Sequence, residues 1–213
     1  MADVTINRVG PSSAGDGTPV QVRLTTWGST VVQQASGKYA EAVSRGNCYS
    51  AMTAVTGVAP GTSISTTGAI TVYNRGNSGK RLSFMKSSMG YVSGTLGAGY
   101  VAYVVDKLAQ TALPTGTAIV PQNLLAGASN NSSALALTTS TIVLGFQLRA
   151  MCNLSAMLAT TAVTPWNVVD DIDGEIQLLP GFGLSLIGVS AAGSSPLVVF
   201  SLAWEEATMV GGI

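Results

Sequence analysis

Histidine is absent from this 213-residue chain, and charge is scarce: ten basic and ten acidic side chains make up 9% of it, for zero formal net charge. An ordinary soluble domain carries about 25% charged residues. Each shortage excludes something. Without histidine the chain lacks the commonest general base and the commonest metal ligand. Without a basic excess it has little with which to neutralise a phosphate backbone, so direct nucleic-acid binding is not expected. Cysteine occurs only at Cys48 and Cys152, a spacing that matches no zinc or redox motif, and a reduced, buried pair is expected. Long apolar runs are missing too. The two richest, Leu135–Leu148 and Gly183–Ala203, are interrupted by serine, threonine or proline, whereas a membrane helix needs about 20 mostly apolar residues. No membrane partner is expected. The segment Met1 to Arg8 has neither the basic start nor the apolar stretch of a signal peptide, which implies assembly in a cytoplasm.

What the chain has in abundance is small residues. Gly (25), Ala (26), Ser (23) and Thr (22) supply close to half of it. A mean hydropathy of +0.40 argues against disorder, and the length suits one domain with a sizeable core. We expect a single domain over residues 1–213, with 1–35 as an N-terminal arm or attachment segment.

Apolar and polar residues alternate with a period of two in short runs bounded by Gly, Pro, Asn and Ser, the pattern of an all-β domain. Val20–Thr25 alternates in this way, as does Ala69–Asn74, which is followed by a turn at 75–79 and a return run Lys80–Met85. Tyr100–Val105 is apolar on both faces, as for a central strand. Glu175–Leu178, Leu184–Val189 and Pro196–Trp204 continue the series, and Thr141–Met151 reads as one long strand. Residues 109–140, uncharged and rich in Ala, Thr, Ser and Leu, read as a long excursion with short strands. The helical signal is confined to Lys38–Arg45, with Ser36 as N-cap and Gly46 as the residue after the C-cap. Roughly eight strands at this spacing predict a jelly roll or β-sandwich with few short helices.

The charges are unevenly spread. Met1 to Lys107 holds nine basic and four acidic residues, whereas Leu108 onward holds only Arg149 against six acidic ones. Two electrically unlike portions can complement each other within the fold or between copies. Arg75, Lys80 and Arg81 cluster at a hairpin tip. Asp170, Asp171, Asp173 and Glu175 form the one dense acidic group, and the two sets are the expected polar contacts of an interface.

Motifs for chemistry fail on inspection. Ser83-Phe84-Met85-Lys86 has a serine–lysine nucleophile spacing, but in a strand a separation of three puts the two on opposite faces. Gly97-Ala98-Gly99 with Ala102 outlines a dinucleotide loop, yet a β-branched strand follows where a helix is required. The acidic turn does not fit a calcium loop, because counting from Gly174 puts Val169 in the first position and Pro180 in the last. No catalytic residue, no metal site and no cofactor is expected. The tryptophans and tyrosines are expected in the core or at interfaces.

A resemblance adds to this reading. Asp173–Gly181 followed by Leu184 to Glu206, and Gly68–Asn74 with its Gly/Asn-rich hairpin, together about a third of the chain, resemble strands of small jelly-roll proteins of tailed-phage virions. The resemblance implies a non-enzymatic structural subunit, a capsid cement or decoration protein, located in the virion and assembled in the host cytoplasm. Its implied partners are copies of itself, with a trimer favoured, and a major capsid or tail protein. A tail- or fibre-associated receptor- or carbohydrate-binding module, using loops that carry Trp166 or Tyr91, is the alternative. Composition supports association on its own terms, since a nearly uncharged surface of small residues has neither repulsion nor a costly ionic shell to strip.

Overall fold

A computed structural model describes residues 37–65, 67–141, 145–154, 167–190 and 193–209. The chain separates into two compact units, Met1–Ala40 and Glu41–Ile213. Of the first, only residues 37–40 are described, so the expected arm at 1–35, the Val20–Thr25 run and the Ser36 cap lie outside the described residues.

Strands make up more than half of the described part, and one short helix is the only α-helical element among the described residues. A five-residue helix, α1 (Ala40–Ser44), ends at Gly46, whose φ of 72° is the left-handed turn that closes a helix. Strands follow in the order β1 (Cys48–Met52), β2 (Thr67–Asn74), β3 (Lys80–Ser93), β4 (Gly99–Asp106), β5 (Thr117–Ile119), β6 (Gln122–Asn123), β7 (Ala134–Thr141), β8 (Gly145–Leu154), β9 (Asn167–Asp171), β10 (Gln177–Leu178), β11 (Gly183–Ser190) and β12 (Leu197–Thr208).

They form two antiparallel six-stranded sheets. The first runs β10-β3-β12-β1-β6, with β9 also on β3; the second runs β5-β7-β2-β11-β4-β8. The chain changes sheet from β1 to β2, β2 to β3, β3 to β4, β5 to β6, β6 to β7, β8 to β9, β10 to β11 and β11 to β12. Alternation decides what faces inward. Along β12, Val198, Phe200, Leu202, Trp204 and Glu206 are buried, while the residues between them are partly exposed. From the second sheet, Ile70, Val72, Val101, Tyr103, Leu184 and Leu186 join the same apolar cluster. An all-β sandwich follows.

Strand β4 reads as a nearly continuous apolar run and β2 as an alternating one, yet both are buried on both faces over most of their length, β2 with Thr71 and Asn74 inside. The outer face of the second sheet holds a small cluster, Ala102, Val104 and Ile187, separate from the main core. Two expectations need correction. The run Thr141–Met151 is not one strand: Thr141 ends β7 and Gly145 begins β8. Serine and lysine of the Ser83–Lys86 motif are not on opposite faces either. The pairing of β3 with β12 shifts register between Ala203 and Trp204, so a bulge at Met85 returns Lys86 to the face of Ser83.

Candidate functional site

Most of the charged side chains that the sequence singles out find partners inside the chain. Lys80 Nζ lies 2.8 Å from Glu206 Oε2, and Lys86 pairs with Asp171 across the β3–β9 ladder. Arg149 Nη2 lies 2.8 Å from Asp170 Oδ2, and its Nε 3.4 Å from Glu175 Oε2. Lys80 and Lys86 of the amino-terminal portion thus complement acidic residues of the carboxy-terminal portion within the fold, whereas Arg149 pairs inside its own portion. Arg75 and Arg81 are exposed and enter no recorded ion pair among the described residues; Asp173, exposed with a φ of 54°, sits in the turn after β9. The basic hairpin and the acidic turn are neighbours on one sheet, because β9 and the turn run along β3.

Glu206 is the most heavily engaged of these groups. It follows Trp204 on the inward face of β12 and is 2% exposed. Ser132 Oγ (2.6 Å), Ser133 Oγ (2.7 Å) and Ser133 N (3.0 Å) donate to it alongside Lys80. Burial opposes its ionisation, but the hydrogen bonds from Lys80, Ser132 and Ser133 outweigh burial and hold the carboxyl below its ordinary value. The residues Ser132 to Ala134 lead into β7, so this carboxylate ties the second sheet to the first.

A second cluster joins β8 to β9. Tyr103 Oη donates to Asp170 Oδ2 at 2.6 Å and lies 2.5 Å from Ser87 Oγ, while the Arg149 guanidinium stacks 4.8 Å from the Tyr103 ring centre. Burial, then the hydrogen bond to Asp170, push the Tyr103 phenol far above its ordinary range, so it acts as a fixed donor. Asp106, at the end of β4 and 2% exposed, accepts from Gln110 Nε2 and Gly183 N, each at 2.6 Å. Burial raises its pKa despite those two bonds.

Nucleophiles are poorly activated. Cys48 and Cys152 are both free, the first buried and the second half-buried. Burial, then the charge of Glu205, push the Cys48 thiol up to about 11; burial pushes Cys152 up to about 11 as well. Neither is a thiolate at neutral pH. Among the described residues no group of three His, Cys, Asp or Glu is placed to hold a metal ion, and no helix is long and apolar enough to cross a membrane. Lys86, the lysine of the apparent nucleophile motif, is engaged with Asp171. The loop at Gly97–Gly99 leads directly into β4.

The aromatic residues go mainly to the core. Trp204 is buried against Tyr49 and Phe84, with ring centres 6.4 Å apart in both pairs. Tyr91, half-buried, donates to Gly94 O at 2.5 Å, and Trp166 lies outside the described residues. Sequence reasoning missed Glu206 and Asp106 as the buried carboxylates. No protein-family model, no curated protein and no solved structure matches the chain.

Proposed function

We propose that this chain is a non-enzymatic virion structural subunit of jelly-roll type that attaches to and stabilises a phage capsid or another virion surface. The observation that carries the reading is strand order. Four strands pair as β1-β12-β3-β9 and four as β2-β11-β4-β8, with β5, β6 and β7 inserted between β4 and β8 and the two-residue β10 between β9 and β11. Eight strands taken in that order are two interlocked Greek keys, the arrangement of a jelly roll. The step from fold to virion is an analogy, joined to the resemblance of the Gly68–Asn74 and Asp173–Glu206 segments to phage proteins.

The side-chain chemistry supports a binding role. Glu206, Asp170 and Tyr103 each hold the sandwich together, and beside a few charges such as the exposed Lys86–Asp171 pair the outer faces carry hydroxyl, small and apolar side chains. Ser88 Oγ and Ser201 Oγ, 2.7 Å apart across β3 and β12, are representative of the outer face of the first sheet. The partners are other copies of the chain, as a trimer, and a capsid subunit. Arg75 and Arg81 are the polar contacts left for them. Immunogold labelling of purified particles, with an antibody to this chain, tests the assignment. Label spread over the shell is expected; label confined to the tail supports the receptor-binding alternative, and unlabelled particles contradict both.

A further inference from the structure

A cavity of about 390 Å³ opens between the two sheets where the edge strand β8 parts from the β10 segment. Its apolar walls include Val105, Phe146, Leu148, Ile176, Leu178 and Phe182, and Lys107 and Glu175 line it with opposite charges. Phe146 and Leu148 are 49% and 43% exposed, so apolar surface stands uncovered at the mouth. Volumes of roughly 300–1,000 Å³ with apolar walls and a few placed polar groups are typical of small-molecule sites.

The polar group that stands out is Asp106. It lines the cavity and is almost wholly buried, and its two oxygens are treated unequally. Oδ2 accepts both bonds, from Gln110 and Gly183, whereas Oδ1 has no hydrogen-bond partner. A buried acceptor without a donor is costly, and costlier when it carries charge. Asp106 also forms no ion pair with Lys107, the nearest basic residue in the chain. The side chain therefore lacks one donor and one counter-charge.

We propose that the cavity binds a small molecule with an apolar body and one ammonium group, the ammonium pairing with Asp106 Oδ1. An ammonium supplies the donor and the positive charge together; a neutral hydroxyl supplies only the donor, and an anion gives Asp106 neither. Oδ1 is itself covered, so pairing requires the carboxylate to turn about χ2 and give up a bond at Oδ2, which the ammonium, with three donors, replaces. A thin lysine stem would leave most of the volume empty, so a free amine with a bulky aromatic or aliphatic body fits better than a side chain from a partner.

Titration calorimetry on the whole chain with naphthylmethylamine, naphthylmethanol and naphthoate tests this. The amine should bind with one site per chain, roughly tenfold or more tightly than the alcohol, and naphthoate should not bind. Asp106→Asn should bring amine and alcohol to equal affinity. Leu148→Trp, at the exposed mouth and away from Asp106, should remove binding of both while circular dichroism stays that of the wild type. Lack of saturable amine binding to the folded wild-type chain overturns the site. Equal affinities of amine and alcohol for the wild type, or a preference that survives Asp106→Asn, overturn the role of Asp106. Should Asp106→Asn fail to fold, the three probes on the wild type and on Leu148→Trp still decide.

Discussion

Glu206 shows how a single side chain can join two sheets. It occupies the next inward position after Val198, Phe200, Leu202 and Trp204, where an apolar residue would otherwise continue the core. The carboxylate is tolerated there because Lys80 and the Ser132–Ser133 turn satisfy it. Glu206→Gln keeps the shape but leaves Lys80 without its anion, and should cost about 2–4 kcal/mol in denaturant unfolding. The pH response has a definite sign. Because the folded pKa of Glu206 is lowered, the unfolded chain binds more protons in the acid range. Its contribution is complete above the ordinary glutamate value and is lost as pH falls through the folded value. Asp106 is raised, so its contribution has the opposite sense: stability falls as pH rises from the ordinary aspartate value to the folded one. Unfolding measured against pH should show a shallower acid limb in Glu206→Gln than in the wild type; an unchanged limb would place the acid sensitivity elsewhere. The alternation of β12 was legible in the sequence as far as Trp204. Glu206 was not, since a carboxylate at the end of an apolar run reads as the exit from the core, and its shortest hydrogen bonds come from residues over seventy positions away.

At the scale of elements, period-two runs located most of the sandwich. Ala69–Asn74, Tyr100–Val105, Leu184–Val189 and Pro196–Trp204 each fall almost entirely within a strand, and the turn at 75–79 joins β2 to β3 as expected. These runs were readable because both the alternation and the bounding turn residues are local. Register was not. The bulge at Met85 depends on how β3 meets β12, two segments more than a hundred residues apart, and nothing near Met85 announces it. The same limit hid the break after Thr141, where two strands of one sheet follow each other without a charged or proline boundary. Close approach is another property that only pairing reveals. Gly188 lies on β11, and a Cβ built there would meet Pro60 O at 2.7 Å and Pro60 Cβ at 2.8 Å, while its own N–H donates to Pro60 O. Gly188→Ala should therefore push the 58–61 segment off β11 and lower stability by about 1–3 kcal/mol. A melting temperature equal to that of the wild type would show that the segment yields without cost.

For the whole molecule, charge scarcity has two consequences that act together. Lys80, Lys86 and Arg149 have acidic partners within the chain, so much of the described charge is neutralised locally. Zero net charge also removes the long-range repulsion that keeps compact chains apart. Sheet edges add to the tendency. β8, at the end of the second sheet, pairs only with β4 among the described strands, and the register shifts along it twist part of that edge away from simple pairing. Association is then expected to use faces as well as edges, with small residues allowing close contact. The expectation of charge complementarity was legible as a bare asymmetry between two halves of the sequence; which residue meets which was not, because the pairs span the fold. Sedimentation velocity of the purified chain over a wide concentration range tests the central claim most directly. The account predicts a discrete homo-oligomer, a trimer, that persists on dilution through moderate concentrations. A single species at the 21.6 kDa of one chain, even at the highest concentration, would contradict it.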